Sequence, residues 1–189
     1  MSAHPDRLSE RGVGLVEVLV TLVIVAVGLL GLMGLQSRLQ VAEMEAYQRT
    51  QALVLLDDME SRLTTNRAAA ADYVTASPLG AGTTCPVVGG SPTRQEIDAA
   101  EWCNALQGAA EVSGANKIGA MIGGRGCVES LPDNEYLITV AWQGITPIQA
   151  PPAGLSCAKD LYDGATGSTC TADRCRRTVT TIVRIATLN

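Results

Sequence analysis

The chain has 189 residues, 47% of them hydrophobic, and a formal net charge of −5. That length suits one globular unit with attachments rather than two full domains. The acidic balance argues against nucleic acid or an anionic lipid surface as the main partner, because such binding needs clustered cations.

Residues 1–12 are polar and mixed in sign, with Arg7 and Arg11 offset by Asp6 and Glu10. They read as a removable leader. From Val13 to Leu35 only Glu17 and Thr21 are polar. At about 1.5 Å per residue, a helix of that length crosses a bilayer core of roughly 30 Å, so 13–35 is expected to be a membrane segment. An ordinary signal peptide would have a shorter apolar stretch followed by a small-x-small cleavage site, and Gly31 to Gln36 offers none. A buried soluble helix would rarely be apolar on every face for this length.

Residues 36–66 contain no proline or glycine, and Leu39, Ala42, Ala46, Leu53, Leu56, Met59 and Leu63 recur near every third or fourth position. This predicts an amphipathic continuation of the same helix, lying on a soluble domain formed by 67–189. After Tyr73 the chain turns loop-like, with Ser77 to Gly82 and Val87 to Pro92 rich in glycine, proline and serine. Thr93 to Leu106 reads as a short helix capped by Thr93, with Glu96 completing a capping box. Gly123 to Gly126 reads as a break. A short strand around Cys127 to Ser130, a turn at Leu131 to Asn134 and a strand from Glu135 to Gln143 form a hairpin. Thr178 to Ala186 reads as another strand. The expected fold class is α+β: a long N-terminal helix packed on an antiparallel sheet of three or four strands.

Cys85, Cys103, Cys127, Cys157, Cys170 and Cys175 all lie in the C-terminal part, an even number that suits disulfides in an oxidising compartment. Cys85 with Cys103 is the favoured pair because both flank the loop and short helix. One bridge is expected within Cys157, Cys170 and Cys175, with the remaining member reaching Cys127. Zinc is disfavoured, since there is no C-x-x-C pair and the single histidine, His4, lies in the N-terminal tail. The same histidine count leaves a serine, threonine or cysteine nucleophile without a base. No enzyme activity, metal or other cofactor is expected. Asp160, Asp163 and Gly164 match no complete calcium loop. Arg174, Arg176 and Arg177 read as a solvated strand entrance rather than a DNA contact, and Trp102 and Trp142 as core or interface anchors.

The string Arg11-Gly12-Val13-Gly14-Leu15-Val16-Glu17-Val18-Leu19-Val20 places a glycine against an apolar helix with one acid at the fifth position after it. It resembles the cleavage and methylation signature of the type IV prepilin family, which includes type II secretion pseudopilins. Within that family Leu15 to Val20, Val27 to Leu32 and Tyr136 to Trp142 are most similar to minor pilins of the PilV type. The resemblance implies cutting between Gly12 and Val13 by prepilin peptidase and N-methylation of Val13. Family members often carry phenylalanine and threonine just after the cut, where Val13 and Gly14 stand here. It also implies an inner-membrane, single-pass subunit with a periplasmic domain. Its partners would be other minor and major pilins, the inner-membrane assembly platform and, at the fibre end, a tip adhesin. A charge in the apolar run needs a partner or a purpose, and the resemblance assigns Glu17 to the new amine of a neighbouring subunit during assembly. Gly28, Gly31 and Gly34 allow close helix packing and weaken the helix.

Overall fold

A computed structural model describes residues 14–108, 112–113, 116–117 and 121–186. The chain divides into two compact units, Met1–Ala42 and Glu43–Asn189. One helix, α1 (Leu15–Thr65), runs for 51 residues, several times the usual globular length. In the first unit its apolar side chains are exposed all round, Leu15 by 78% and Leu30 by 68%. Such a surface needs lipid or other helices to cover it.

In the second unit, α1 buries Gln48, Ala52, Leu56, Met59 and Leu63. Only the last three belong to the stripe expected from the sequence. Leu39 and Leu53 are exposed, as are Ala42 and Ala46. At 3.6 residues per turn these four fall about 100° round the helix from the buried face. Spacings of three and four can follow one another along a helix without holding one direction.

After α1 a 3₁₀ segment, Arg67–Tyr73, leads to β1 (Leu79–Gly80) and α2 (Arg94–Leu106). The capping box forms as expected: Thr93 Oγ1 accepts from Glu96 N at 3.2 Å, and Glu96 Oε2 accepts from Thr93 N at 2.8 Å. Two short strands follow, β2 (Val112–Ser113) and β3 (Asn116–Lys117), paired with each other. The main strands are β4 (Arg125–Leu131), β5 (Glu135–Gln143) and β6 (Arg176–Arg184). With β1 they form an antiparallel sheet in the order β1-β4-β5-β6. The architecture is α+β and pilin-like.

Several strand limits differ from the sequence reading; at their C-terminal ends β4 runs one residue further, to Leu131, and β6 stops at Arg184, two residues before Ala186. Leu79–Gly80, within an expected loop, pairs with Gly126 and Arg125 as an edge strand. The expected glycine break stops at Gly124, because Gly126 lies in β4 opposite Val140. A Cβ on Gly126 would stand 2.2 Å from the Trp102 ring, so this glycine is where a strand admits an indole. The last strand begins at Arg176, two residues early, because Arg176 is itself buried. The β4–β5 turn holds Asp133 and Asn134 at φ of 61° and 56°, left-handed geometry that asparagine and aspartate tolerate best among residues with a Cβ.

The core lies on one face of the sheet, where Ala52, Leu56, Met59 and Leu63 meet Val128, Ile138, Val140, Trp142 and Val183, with Trp102 and Leu106 of α2. Trp102 satisfies its buried Nε1 by donating to Leu55 O at 2.9 Å. The other face carries a second cluster of Cys127, Ala141, Cys157, Ala158 and Tyr162. Strand β5 is therefore covered on both faces, which explains its nearly unbroken apolar run.

Candidate functional site

Gly12 and Val13 lie outside the described residues. The helix begins just after them, with Glu17 N and Val18 N both donating to Gly14 O at 2.8 and 3.4 Å. Glu17 thus stands in the first turn, where a carboxylate is favoured by the helix dipole. Its side chain is exposed and makes no salt bridge among the described residues. Thr21, the other polar residue of the run, turns its hydroxyl back onto Val18 O at 2.8 Å. Glu17 is left as the one outward-facing polar group among apolar neighbours. Gly28, Gly31 and Gly34 have open space where a Cβ would stand.

Residues 7–33 match the family model of the prokaryotic N-terminal methylation motif. The match supports a type IV pilin-like N-terminus. The matched stretch contains Gly12, Val13 and Glu17, and together with the exposed apolar helix it supports membrane anchoring. The motif is common to pilins and pseudopilins, and by itself it does not choose between them. No curated protein and no solved structure matches the chain.

The second unit is cross-linked within itself. Three disulfides staple it: Cys85–Cys103, Cys127–Cys157 and Cys170–Cys175. The first joins the loop after β1 to α2, and the second ties β4 to the long connection between β5 and β6. The third closes the turn just before β6. No group of three or more metal-ligating side chains occurs among the described residues. Of the two acids considered for calcium, the Asp163 carboxylate has other work, and Asp160 is held through its backbone N. Asp163 accepts from Ala172 N and Asp173 N at 3.1 and 2.9 Å, and Asp173 accepts from Asp160 N at 2.8 Å.

The arginine cluster is not the solvated feature expected. Arg176 is 2% exposed; it pairs with Asp173 at 2.9 Å and donates to the carbonyls of Leu155 and Cys157, both at 2.9 Å. Arg177 donates to Thr146 O at 2.6 Å and meets Glu45 at 3.3 Å. Arg174 alone of the three is exposed.

Two polar clusters have no counterpart in the sequence reading. Buried Asp98 receives Arg62 at 2.8 Å, Arg94 at 2.9 Å and the Tyr73 hydroxyl at 2.6 Å. This joins the end of α1, the 3₁₀ segment and α2. Burial alone would lower the proton affinity of Arg62, but its hydrogen bonds with Glu101, Asp58 and Asp98 outweigh that and hold it above its ordinary value. Burial, then the Asp98 hydrogen bond, raises Tyr73. The i,i+4 pairs Asp58–Arg62 and Arg94–Asp98 were the available signal, although they do not reveal that the two helices share one carboxylate. In the second cluster, Tyr162 donates to Gly123 O at 2.8 Å while Arg125 lies 4.9 Å over its ring. Burial pushes the Tyr162 phenol up to about 12, with Arg125 pulling the other way.

Proposed function

We propose that the chain is a minor pilin of the PilV type: a structural subunit, not an enzyme, that helps to initiate or cap a type IV pilus. Prepilin peptidase would cut between Gly12 and Val13 and methylate the Val13 amine. Residues 13–35 would hold the subunit in the inner membrane with 67–189 in the periplasm, until α1 leaves lipid for the fibre. Its partners would be other minor and major pilins, the assembly platform and a tip adhesin. The observation that carries the pilin-like part of this reading is the methylation-motif match over residues 7–33, set on a helix whose apolar surface is exposed on every side; the choice of a minor pilin rests on the resemblance of Leu15 to Val20, Val27 to Leu32 and Tyr136 to Trp142 to that type. A glycine before the scissile bond suits a protease at a membrane face, because it offers a backbone with no side chain in the way.

The test is the mass and N-terminal sequence of the chain recovered from membranes and from sheared surface fibres. A mature protein beginning at methylated Val13 in both fractions supports the proposal, and replacement of Gly12 by a bulky residue should leave the precursor in the membrane. Any other N-terminus refutes the cleavage. The motif fits a type II secretion pseudopilin equally well; that assignment would show a mature chain at Val13, absence from sheared pili, and a secretion defect on deletion. A DNA-binding minor pilin is less well supported, since two of the three clustered arginines are engaged within the domain.

A further inference from the structure

In chain order the cysteines are joined first to second, third to fourth and fifth to sixth. Six thiols allow fifteen complete pairings, and this is the one that links each cysteine only to its neighbour in the sequence. We propose that the three bridges are made in chain order, by dithiol oxidation alone, as the domain is threaded across the membrane, with no dependence on a disulfide isomerase. The inference rests on the extracytoplasmic location of the domain proposed above.

Threading presents the cysteines one at a time. When Cys103 arrives, Cys85 is the only thiol ahead of it. Once those two have paired, Cys127 waits alone for Cys157, and then Cys170 for Cys175. Each bridge needs an oxidant that is itself a protein disulfide. The first thiolate attacks it, forming a mixed disulfide and releasing one oxidant thiolate. The second chain thiolate attacks the chain sulfur of that mixed disulfide, closes the bridge and releases the other. Two protons and two electrons leave the chain per bridge, and the oxidant disulfide becomes a dithiol.

One bridge depends on this order more than the others. The native sequence separations are 18, 30 and 5 residues. Cys157 could instead close a loop of about 13 residues with Cys170, and loop-closure statistics favour that over Cys127 by roughly threefold in a free chain. Sequential emergence removes the competition, because Cys157 meets Cys127 before Cys170 appears. By then β4 and β5, which precede Cys157, can already form the hairpin that presents Cys127. Folding afterwards buries Cys103, Cys127, Cys157 and Cys175, which shields those bridges from exchange.

The full-length chain should be expressed for export in a bacterial host with its disulfide machinery intact and in one lacking the disulfide isomerase. After trapping free thiols by alkylation, non-reducing peptide mapping reads the bridges. The expected result is the same three bridges in both hosts, with native yield within twofold. In parallel, the full chain reduced in urea and detergent, then oxidised by an added protein disulfide without free thiol, should show Cys157–Cys170 exceeding Cys127–Cys157 by about threefold among chains that hold a single bridge. Loss of native pairing in the isomerase-deficient host overturns the proposal. Immediate native pairing in the released chain overturns the role given to order. Six alkylated thiols in the intact host would instead refute the extracytoplasmic reading, and the inference with it.

Discussion

Glu45 and Arg177, 132 residues apart in the chain, meet at 3.3 Å. The same Glu45 oxygen accepts from Ile145 N at 3.1 Å and Thr146 N at 3.4 Å, so one carboxylate on α1 holds the start of the β5–β6 connection and the start of β6. Glu45→Ala leaves two backbone donors without their acceptor and takes the charge partner from Arg177, which keeps the carbonyls of Thr146 and Arg174. A loss of about 1–3 kcal/mol is expected, read by urea unfolding of the detergent-solubilised chain, with faster amide exchange at 144–148. Glu45→Gln keeps an acceptor and should recover part of the loss. Equal destabilisation by both variants would show that charge, not acceptance, matters.

Asp98 is the more costly centre to disturb. It is 1% exposed and its oxygens are shared by Arg62, Arg94 and Tyr73. Asp98→Ala takes the buried acceptor from the Tyr73 hydroxyl and one of three carboxylates from Arg62, which keeps Asp58 and Glu101, while Arg94 can turn to solvent. A loss of about 2–3 kcal/mol is expected. The two tryptophans, Trp102 and Trp142, are both buried and give a fluorescence readout of unfolding. A loss below about 1 kcal/mol would contradict the network described.

Local signals accounted for much of this fold, and long-range polar contacts for most of what was hidden. The limits of β5 were readable because a turn precedes it and two-sided burial keeps it apolar. The capping box of α2 was readable because three residues contain all of it. The favoured Cys85–Cys103 pair likewise encloses a single loop and helix. By contrast, Gly126 looked like a chain break because its reason is the Trp102 ring, which arrives from another element. Arg176 looked solvated because the carbonyls that bury it come from Leu155 and Cys157. Glu45 resembled any exposed helix acid. Of the candidate site, Gly12, Val13 and Glu17 are legible as a motif because a motif lies in the order of residues along the chain and not in folding.

Tyr162 makes a prediction at high pH. Its phenol is raised from 10.0 to about 12 by burial, so the folded state keeps a proton that the unfolded state releases near pH 10. The contribution is fully present below pH 10 and is lost as pH rises towards 12. The loss should be on the order of 2 kcal/mol. Phenolate absorbance should show late titration of both Tyr73 and Tyr162, with the component near 12 absent in Tyr162→Phe, whose stability should also fall less steeply across this interval. Titration of every tyrosine near pH 10 without unfolding would refute the burial argument.

Glu17 is expected to serve assembly and not cleavage. Its carboxylate points outward from an apolar helix turn with no cation beside it among the described residues, and a charge at the centre of a bilayer costs about 2.5–3.5 kcal/mol on insertion scales, less near an interface. A partner cation offsets that cost, and cutting after Gly12 creates one at the Val13 amine. In a fibre, the amine of a neighbouring subunit can meet Glu17 where water is scarce, so the pair would both attract the subunits and set their stagger. Glu17→Ala removes the attraction but leaves the junction and the apolar helix intact. It should be processed at the wild-type rate, accumulate in the membrane, and fall at least tenfold in sheared fibres. Glu17→Gln should be nearly as defective, because it keeps the shape without the charge. Wild-type incorporation of either variant, measured by quantitative immunoblot of the fibre fraction, would show that the acid is not an assembly partner.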